Sequence, residues 1–200
     1  MKKLALAALL ALSFGAAQAS NVITFDSLGS GSFISNGYAG LNWSNFATLN
    51  GVTDNNSGYQ NGVVSRNNVA FNSSANPATI SATSAAGFSL SDGFFTAAWN
   101  NGLHVTVNAV FENATTATET FTLNTTGPID EYFGWNNLAK VTFSSFGGTS
   151  AGLAGGGEHF ALDNLNIAPT VAVPEPATDA LLMLGLVAVG LGIRRRKMAA

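Results

Sequence analysis

The chain has 200 residues, 46% of them hydrophobic, only 10% charged and none cysteine. That leaves room for one ordinary domain with appendages, and it excludes a disulfide scaffold and thiolate-bound zinc. The formal charge of −3 is unevenly spread: residues 20–173 hold two basic residues, Arg66 and Lys140, against nine acids, for a net −7. Binding to nucleic acid by phosphate neutralisation needs clustered Lys and Arg, so it is excluded as a function.

The N-terminus reads as a secretory signal peptide, residues 1–19. Lys2 and Lys3 form a positive start, residues 4–16 an apolar stretch rich in Leu and Ala, and Ala17-Gln18-Ala19 a small-x-small cleavage site. The mature chain would begin at Ser20.

From residue 20 to 168, Asn, Ser, Thr and Gly dominate, and short strand signals alternate with turn formers. Val22-Ile23-Thr24-Phe25 opens the series. Val69-Ala70-Phe71 and Thr79-Ile80-Ser81-Ala82 follow on either side of Pro77. Residues 87–99 carry Phe88, Leu90, Phe94 and Phe95 around Asp92-Gly93, which predicts a hairpin. Leu103–Phe111 alternates, placing Leu103, Val105, Val107, Ala109 and Phe111 on one face. Residues 118–123 alternate again, with Phe121 and Leu123 inward. Val141-Thr142-Phe143 is a further strand, and residues 160–167 another, whose apolar phase slips at Asp163-Asn164. A bulge there is predicted. No stretch of ten residues has helical periodicity. Eight or nine strands in about 150 residues predict an all-β fold, an antiparallel β-sandwich of jelly-roll type.

Catalytic signals are sparse. His104 falls on the polar side of its strand. Glu158-His159 lacks the second histidine that a zinc-protease helix requires, and Glu158 stands where a phosphate-binding loop needs lysine after Gly155-Gly156-Gly157. That glycine-rich stretch reads as a flexible surface loop. No matched pair of acids for glycoside hydrolysis is evident among Asp26, Asp54, Asp92, Glu112, Glu119, Asp130, Glu131, Glu158 and Asp163. No enzyme is expected, and no cofactor beyond a structural calcium. Asp26 ends the first strand and Asp163 lies in the last, and hard carboxylate oxygens suit that ion, so these two are its candidate ligands. Of the aromatic residues Tyr38, Trp43, Tyr59, Trp99, Tyr132 and Trp135, three sit in Asn- and Gly-rich, loop-like contexts: Tyr59, Tyr132 and Trp135. Tyr132 and Trp135 are the candidates for stacking on a sugar. The five Asn-x-Ser/Thr sequons, at Asn42, Asn55, Asn72, Asn113 and Asn124, are read as composition.

The C-terminus has its own grammar. Residues 169–178 form a Pro-rich spacer containing Val173, Pro174, Glu175, Pro176 and Ala177. An apolar helix over residues 179–193 follows, and Arg194, Arg195, Arg196 and Lys197 stop it within a basic tail, residues 194–200. The uninterrupted apolar run of 180–193 spans about 21 Å as a helix, short of a hydrocarbon core of about 30 Å. The basic cluster would mark the cytoplasmic end, leaving the body outside.

These three C-terminal parts resemble the PEP-CTERM sorting signal of Gram-negative bacteria, with Val173-Pro174-Glu175-Pro176-Ala177 matching its core and Asp179 departing from the small or hydroxyl residue usual there. The resemblance implies an exosortase-like membrane protease as partner and an inner-membrane precursor that ends at the cell surface or in extracellular matrix. The same tail is also labelled an ice-binding protein C-terminal domain, which says nothing of this body. Ile23-Thr24-Phe25-Asp26, Tyr38-Ala39-Gly40-Leu41-Asn42-Trp43, Phe95-Thr96-Ala97-Ala98-Trp99 and Phe160-Ala161-Leu162-Asp163-Asn164-Leu165 resemble pieces of PEP-CTERM ectodomains. The last also resembles the closing strand of jelly-roll carbohydrate-binding modules, where an acid in an equivalent strand often holds calcium. The expected role is a non-catalytic envelope or exopolysaccharide-matrix component. The alternative is a carbohydrate-binding module. An ice-binding surface would need an array of Thr across neighbouring strands, which residues 115–122 alone do not supply. A hydrolase would need two carboxylates facing each other in one cleft.

Overall fold

The alternating stretches become strands in the computed structural model, which describes residues 21–170. The signal peptide, the sorting motif, the apolar helix and the basic stop lie outside the described residues. In chain order the elements are β1 (Val22–Ile23), β2 (Ser32–Phe33), β3 (Leu41–Ser44), β4 (Phe46–Asn50), α1 (Gly58–Asn61), β5 (Asn68–Asn72), β6 (Ala78–Ala82), β7 (Phe88–Ala97), β8 (Asn100–Asn101), β9 (Leu103–Phe111), β10 (Thr116–Leu123), β11 (Ile129–Phe146), β12 (Thr149–Ser150) and β13 (Phe160–Pro169). Three single-turn 3-10 segments complete the described residues.

The long pairings are antiparallel and form an all-β, sandwich-like fold whose layers share one strand. The C-terminal half of β11 lies between β9 and β6, extending one layer in the order β10-β9-β11-β6-β3. Its N-terminal half pairs with β7, starting the second layer, β11-β7-β13-β5-β4-β2, with β1 on the far half of β13. Phe rings close the space between layers. Phe95 lies 5.1 Å from Phe121 and 5.9 Å from Phe143, and Phe143 lies 6.2 Å from Phe160, all within the range of favourable ring pairs. Phe95, Phe143 and Phe160 are fully buried. Truncating one of them to Ala is expected to cost about 3–5 kcal/mol.

Two expectations need correction. Asp92-Gly93 is not a hairpin turn, because β7 runs through it without a break. The inward positions change from 88 and 90 to 93, 95 and 97, so the site is a slip of phase inside one strand. Glycine is needed there for proximity: a Cβ on Gly93 would stand 3.0 Å from Leu165 Cδ1 and 3.3 Å from Leu162 Cδ1. Val141-Thr142-Phe143 is the tail of an 18-residue strand rather than a short one. The sequence signal was hidden because β11 changes layers and shifts register three times, against β7 between Tyr132 and Trp135 and between Trp135 and Leu138, and against β9 between Leu138 and Lys140. The predicted irregularity at Asp163-Asn164 is present: pairing with β7 shifts register between Asp163 and Asn166, and Asn164 has φ 47°.

Candidate functional site

The bulges of β11 shape a hollow on the second layer. Tyr132 and Trp135 do not sit in a loop, as their context suggested, but on this strand, opposite Asp92 and Leu90 of β7. Between them Gly134 takes φ +64°, a conformation that costs a residue with Cβ about 1 kcal/mol. A Cβ there would lie 2.9 Å from Tyr132 Oη and 3.0 Å from its Cε1. The Tyr132 ring therefore lies along the strand over Gly134, and it remains 71% exposed. Trp135 is half-buried, with its ring 5.0 Å from Phe133 and 6.5 Å from Phe111. One aromatic is an open platform; the other is wedged in place by the core.

The hollow has a volume of ≈390 Å³, inside the roughly 300–1,000 Å³ of small-molecule sites. Tyr132 and Trp135 share it with Ser89, Ser91, Asn136, Asn137 and Asn166 among others, and none of its lining side chains is ionisable apart from the Tyr132 phenol. Asn166 Nδ2 donates to Asp92 Oδ2 at 3.0 Å, and Asn136 Nδ2 to the Gly134 carbonyl at 3.3 Å. The arrangement offers an aromatic face with neutral donors and acceptors around it. Asn136-Asn137, beside Trp135, was the sequence signal that could have extended the site. Ser89, Ser91 and Asn166 come from strands about 40 residues earlier and 30 later, so only the pairing of β7 and β13 finds them.

Asp26 and Asp163 come to one place because the first strand pairs with the last, and Ser65 lies between them. Their oxygens face hydrogen-bond donors. Asp163 is fully buried, and its Oδ2 accepts from the Val64 and Ser65 amides at 2.8 Å each; Oδ1 accepts from the Asn164 amide at 2.7 Å. Asp26 Oδ1 accepts from the Asn67 and Asn68 amides at 3.1 Å. The Ser65 hydroxyl lies 3.1 Å from Asp163 Oδ1 and 3.4 Å from Asp26 Oδ2, and its single proton serves one at a time. Backbone amides thus occupy three of the four carboxylate oxygens, so the pair works as a staple on residues 64–68. No cluster of three metal-ligating side chains occurs among the described residues. Burial pushes the Asp163 carboxyl up against the pull of those amides. Burial acts the same way on Asp26, but the Asn67 and Asn68 amides, Thr24 and the Arg66 charge outweigh it and leave that carboxyl lowered.

The remaining candidates are structural or differently placed. Tyr59, one of the three aromatics in loop-like contexts, is buried under Trp99 and Phe71. His104 Nδ1 pairs with Thr122 Oγ1 at 3.0 Å on the outer face, and His159 Nδ1 with the Asn72 carbonyl at 2.9 Å. In the glycine-rich segment, Glu158 Oε1 accepts from the Gly147 amide at 2.6 Å, and a Cβ on Gly155 would strike the Trp99 ring. Two acids do face each other, Glu119 of β10 and Glu131 of β11, each two residues before the touching rings Phe121 and Phe133. Burial, then the neighbouring Glu119 carboxyl and the Asp130 charge, push the Glu131 carboxyl up.

A polar ladder crosses the outside of the first layer. Thr118, Asn108, Thr142, Thr79 and Ser44 stand in register on β10, β9, β11, β6 and β3. Thr118 donates to Asn108 at 2.9 Å, and Thr79 bonds Thr142 at 3.0 Å. In the next rung Thr120 bonds Thr106 at 2.9 Å. Residues 115–122 are thus one edge of a wider array.

No curated protein matches the chain. Among solved structures, one of TmCBM61 in complex with beta-1,4-galactotriose resembles it at 8% identity and TM-score 0.41, covering 73% of this chain and 94% of the other. The C-terminal segment is matched independently of the body, by the model of the PEP-CTERM protein-sorting motif over residues 172–197. That motif implies processing by an exosortase, a membrane protease, and a secreted, membrane-anchored precursor. On this evidence the chain carries a PEP-CTERM protein-sorting motif.

Proposed function

We propose that the body of this exosortase-sorted protein is a non-catalytic carbohydrate-binding module of jelly-roll type, working at the envelope or in exopolysaccharide matrix. The observation that carries this reading is the Tyr132 ring held open over Gly134, beside the wedged Trp135 and amid Ser and Asn side chains. A sugar presents C–H groups on its ring faces and hydroxyls at its edges. An aromatic face covers the first, and uncharged donors and acceptors pair with the second. Tyr gives that contact at small entropic cost, since it has two side-chain torsions.

The test uses residues 20–173, whose described part has its own core and falls in a separate compact unit. It is co-sedimented with a panel of neutral insoluble polysaccharides and host exopolysaccharide, with calcium and with chelator. Saturable binding that weakens about tenfold or more in Tyr132→Ala is expected. Binding unchanged in both Tyr132→Ala and Trp135→Ala would sink the assignment and leave a structural matrix component. A chelator effect would return a cation to Asp26 and Asp163.

The polar ladder supports a second reading, an ice-binding face. The side chains of its longest rung repeat at the strand spacing of about 4.8 Å across five strands. Thermal hysteresis abolished by Thr120→Tyr would favour it; its absence in the unaltered protein would remove it.

A further inference from the structure

A second hollow of ≈410 Å³ adjoins the first, lined by Phe111, Glu112, Asn113, Thr115, Asn136 and Asn137. The two share Asn136 and Asn137, which form a ridge between them. That ridge is held in shape: Asn137 has φ 58°, and its carbonyl accepts the Glu112 amide at 2.9 Å. Across it, Asn113 Oδ1 accepts from the Thr115 amide and hydroxyl, which leaves the Asn113 NH₂ as the donor it can offer. Glu112 is exposed and brings the one carboxylate of either hollow, a group that accepts from two neighbouring hydroxyls at once.

From this continuity we infer that the module binds a linear oligosaccharide across both hollows, one part of the chain on Tyr132 and Trp135 and the next part over the Asn136-Asn137 ridge against Glu112 and Asn113. The inference rests on the carbohydrate-binding reading and adds chain length and a second subsite to it. A single sugar would use one hollow and gain nothing from the other. A longer chain meets a second set of partners already joined to the first, so its affinity rises with length until both hollows are covered.

Isothermal titration of residues 20–173 with gluco-, xylo-, manno- and galacto-oligosaccharides of increasing length tests it. Affinity for the accepted series is expected to rise about tenfold from the shortest binding member to the longer ones and then level off. Glu112→Ala, exposed and outside the core, should reduce the longer members to the affinity of the shortest and leave the shortest unchanged. Tyr132→Ala should weaken every length. Equal affinity at all lengths, or a length dependence that survives Glu112→Ala and Asn113→Ala, would overturn the second subsite while the first stands. No binding at any length would overturn the carbohydrate reading and this inference together.

Discussion

The staple at Asp26 and Asp163 and the hollow at Tyr132 and Trp135 began as equal candidates for a site, and the fold treats them oppositely. In the staple every carboxylate oxygen meets a donor from residues 64–68 or a neighbour, and Asp163 has no exposure. In the hollow an aromatic ring is kept on the surface by a glycine that makes room for it. Polar groups whose bonding capacity is consumed hold a fold together. A large side chain kept exposed on a rigid strand is available to something else.

That contrast is open to attack by mutation. The largest expected effect is on stability: Asp163→Ala leaves the part-buried Val64, Ser65 and Asn164 amides without their acceptor and should cost about 3 kcal/mol, read as a lowered denaturation midpoint. A near-neutral result would mean the staple is decorative. Tyr132→Ala should do the reverse, weakening polysaccharide binding about tenfold with unfolding unchanged within about 0.5 kcal/mol. Gly134→Ala tests the link between ring and backbone. It should cost about 1 kcal/mol through the positive φ, and binding should fall with it because the ring is displaced. Binding retained at full strength would show that the ring position does not matter.

The smallest expected effect concerns pH. A carboxyl with a raised folded pKa holds its proton more tightly in the folded chain. Its contribution to stability is therefore present at low pH and is lost as pH rises through the folded value. Glu131 is such a group, so Glu131→Gln should stabilise at neutral pH by less than about 1 kcal/mol and flatten the pH profile above the ordinary carboxylate range. Asp26 has the opposite sign: its contribution is present above the ordinary carboxylate pKa and lost as pH falls through the lowered folded one. Urea unfolding across acid pH separates them, since Asp26→Asn should remove the acid-side loss. A steeper acid loss in Asp26→Asn would contradict the bonding seen at residues 67 and 68.

Much of the fold was legible locally. Leu103–Phe111 alternated and became β9 with the expected residues inward, and the phase slip at Asp163-Asn164 became a bulge. Asp92-Gly93 misled because the dipeptide that makes hairpin turns also serves where a strand must change phase beneath two leucines. Tyr132 and Trp135 were chosen as candidates on a mistaken premise, as loop residues, whereas both lie on β11. Glycine and asparagine inside β11 looked like loop composition, whereas they are the positive-φ positions of its bulges. The partners of those aromatics were out of reach, since β7 and β13 reach the hollow only through strand pairing.

By itself the sequence determined the C-terminal sorting motif, which is a contiguous string of residues, and the all-β character, which follows from period-two burial. The tertiary structure alone decided that the Asp26 and Asp163 carboxylates accept from the amides of residues 64–68, and that two hollows share a ridge. Those outcomes depend on distances between residues far apart in the chain, and alternation along one strand carries no information about which strand lies beside it.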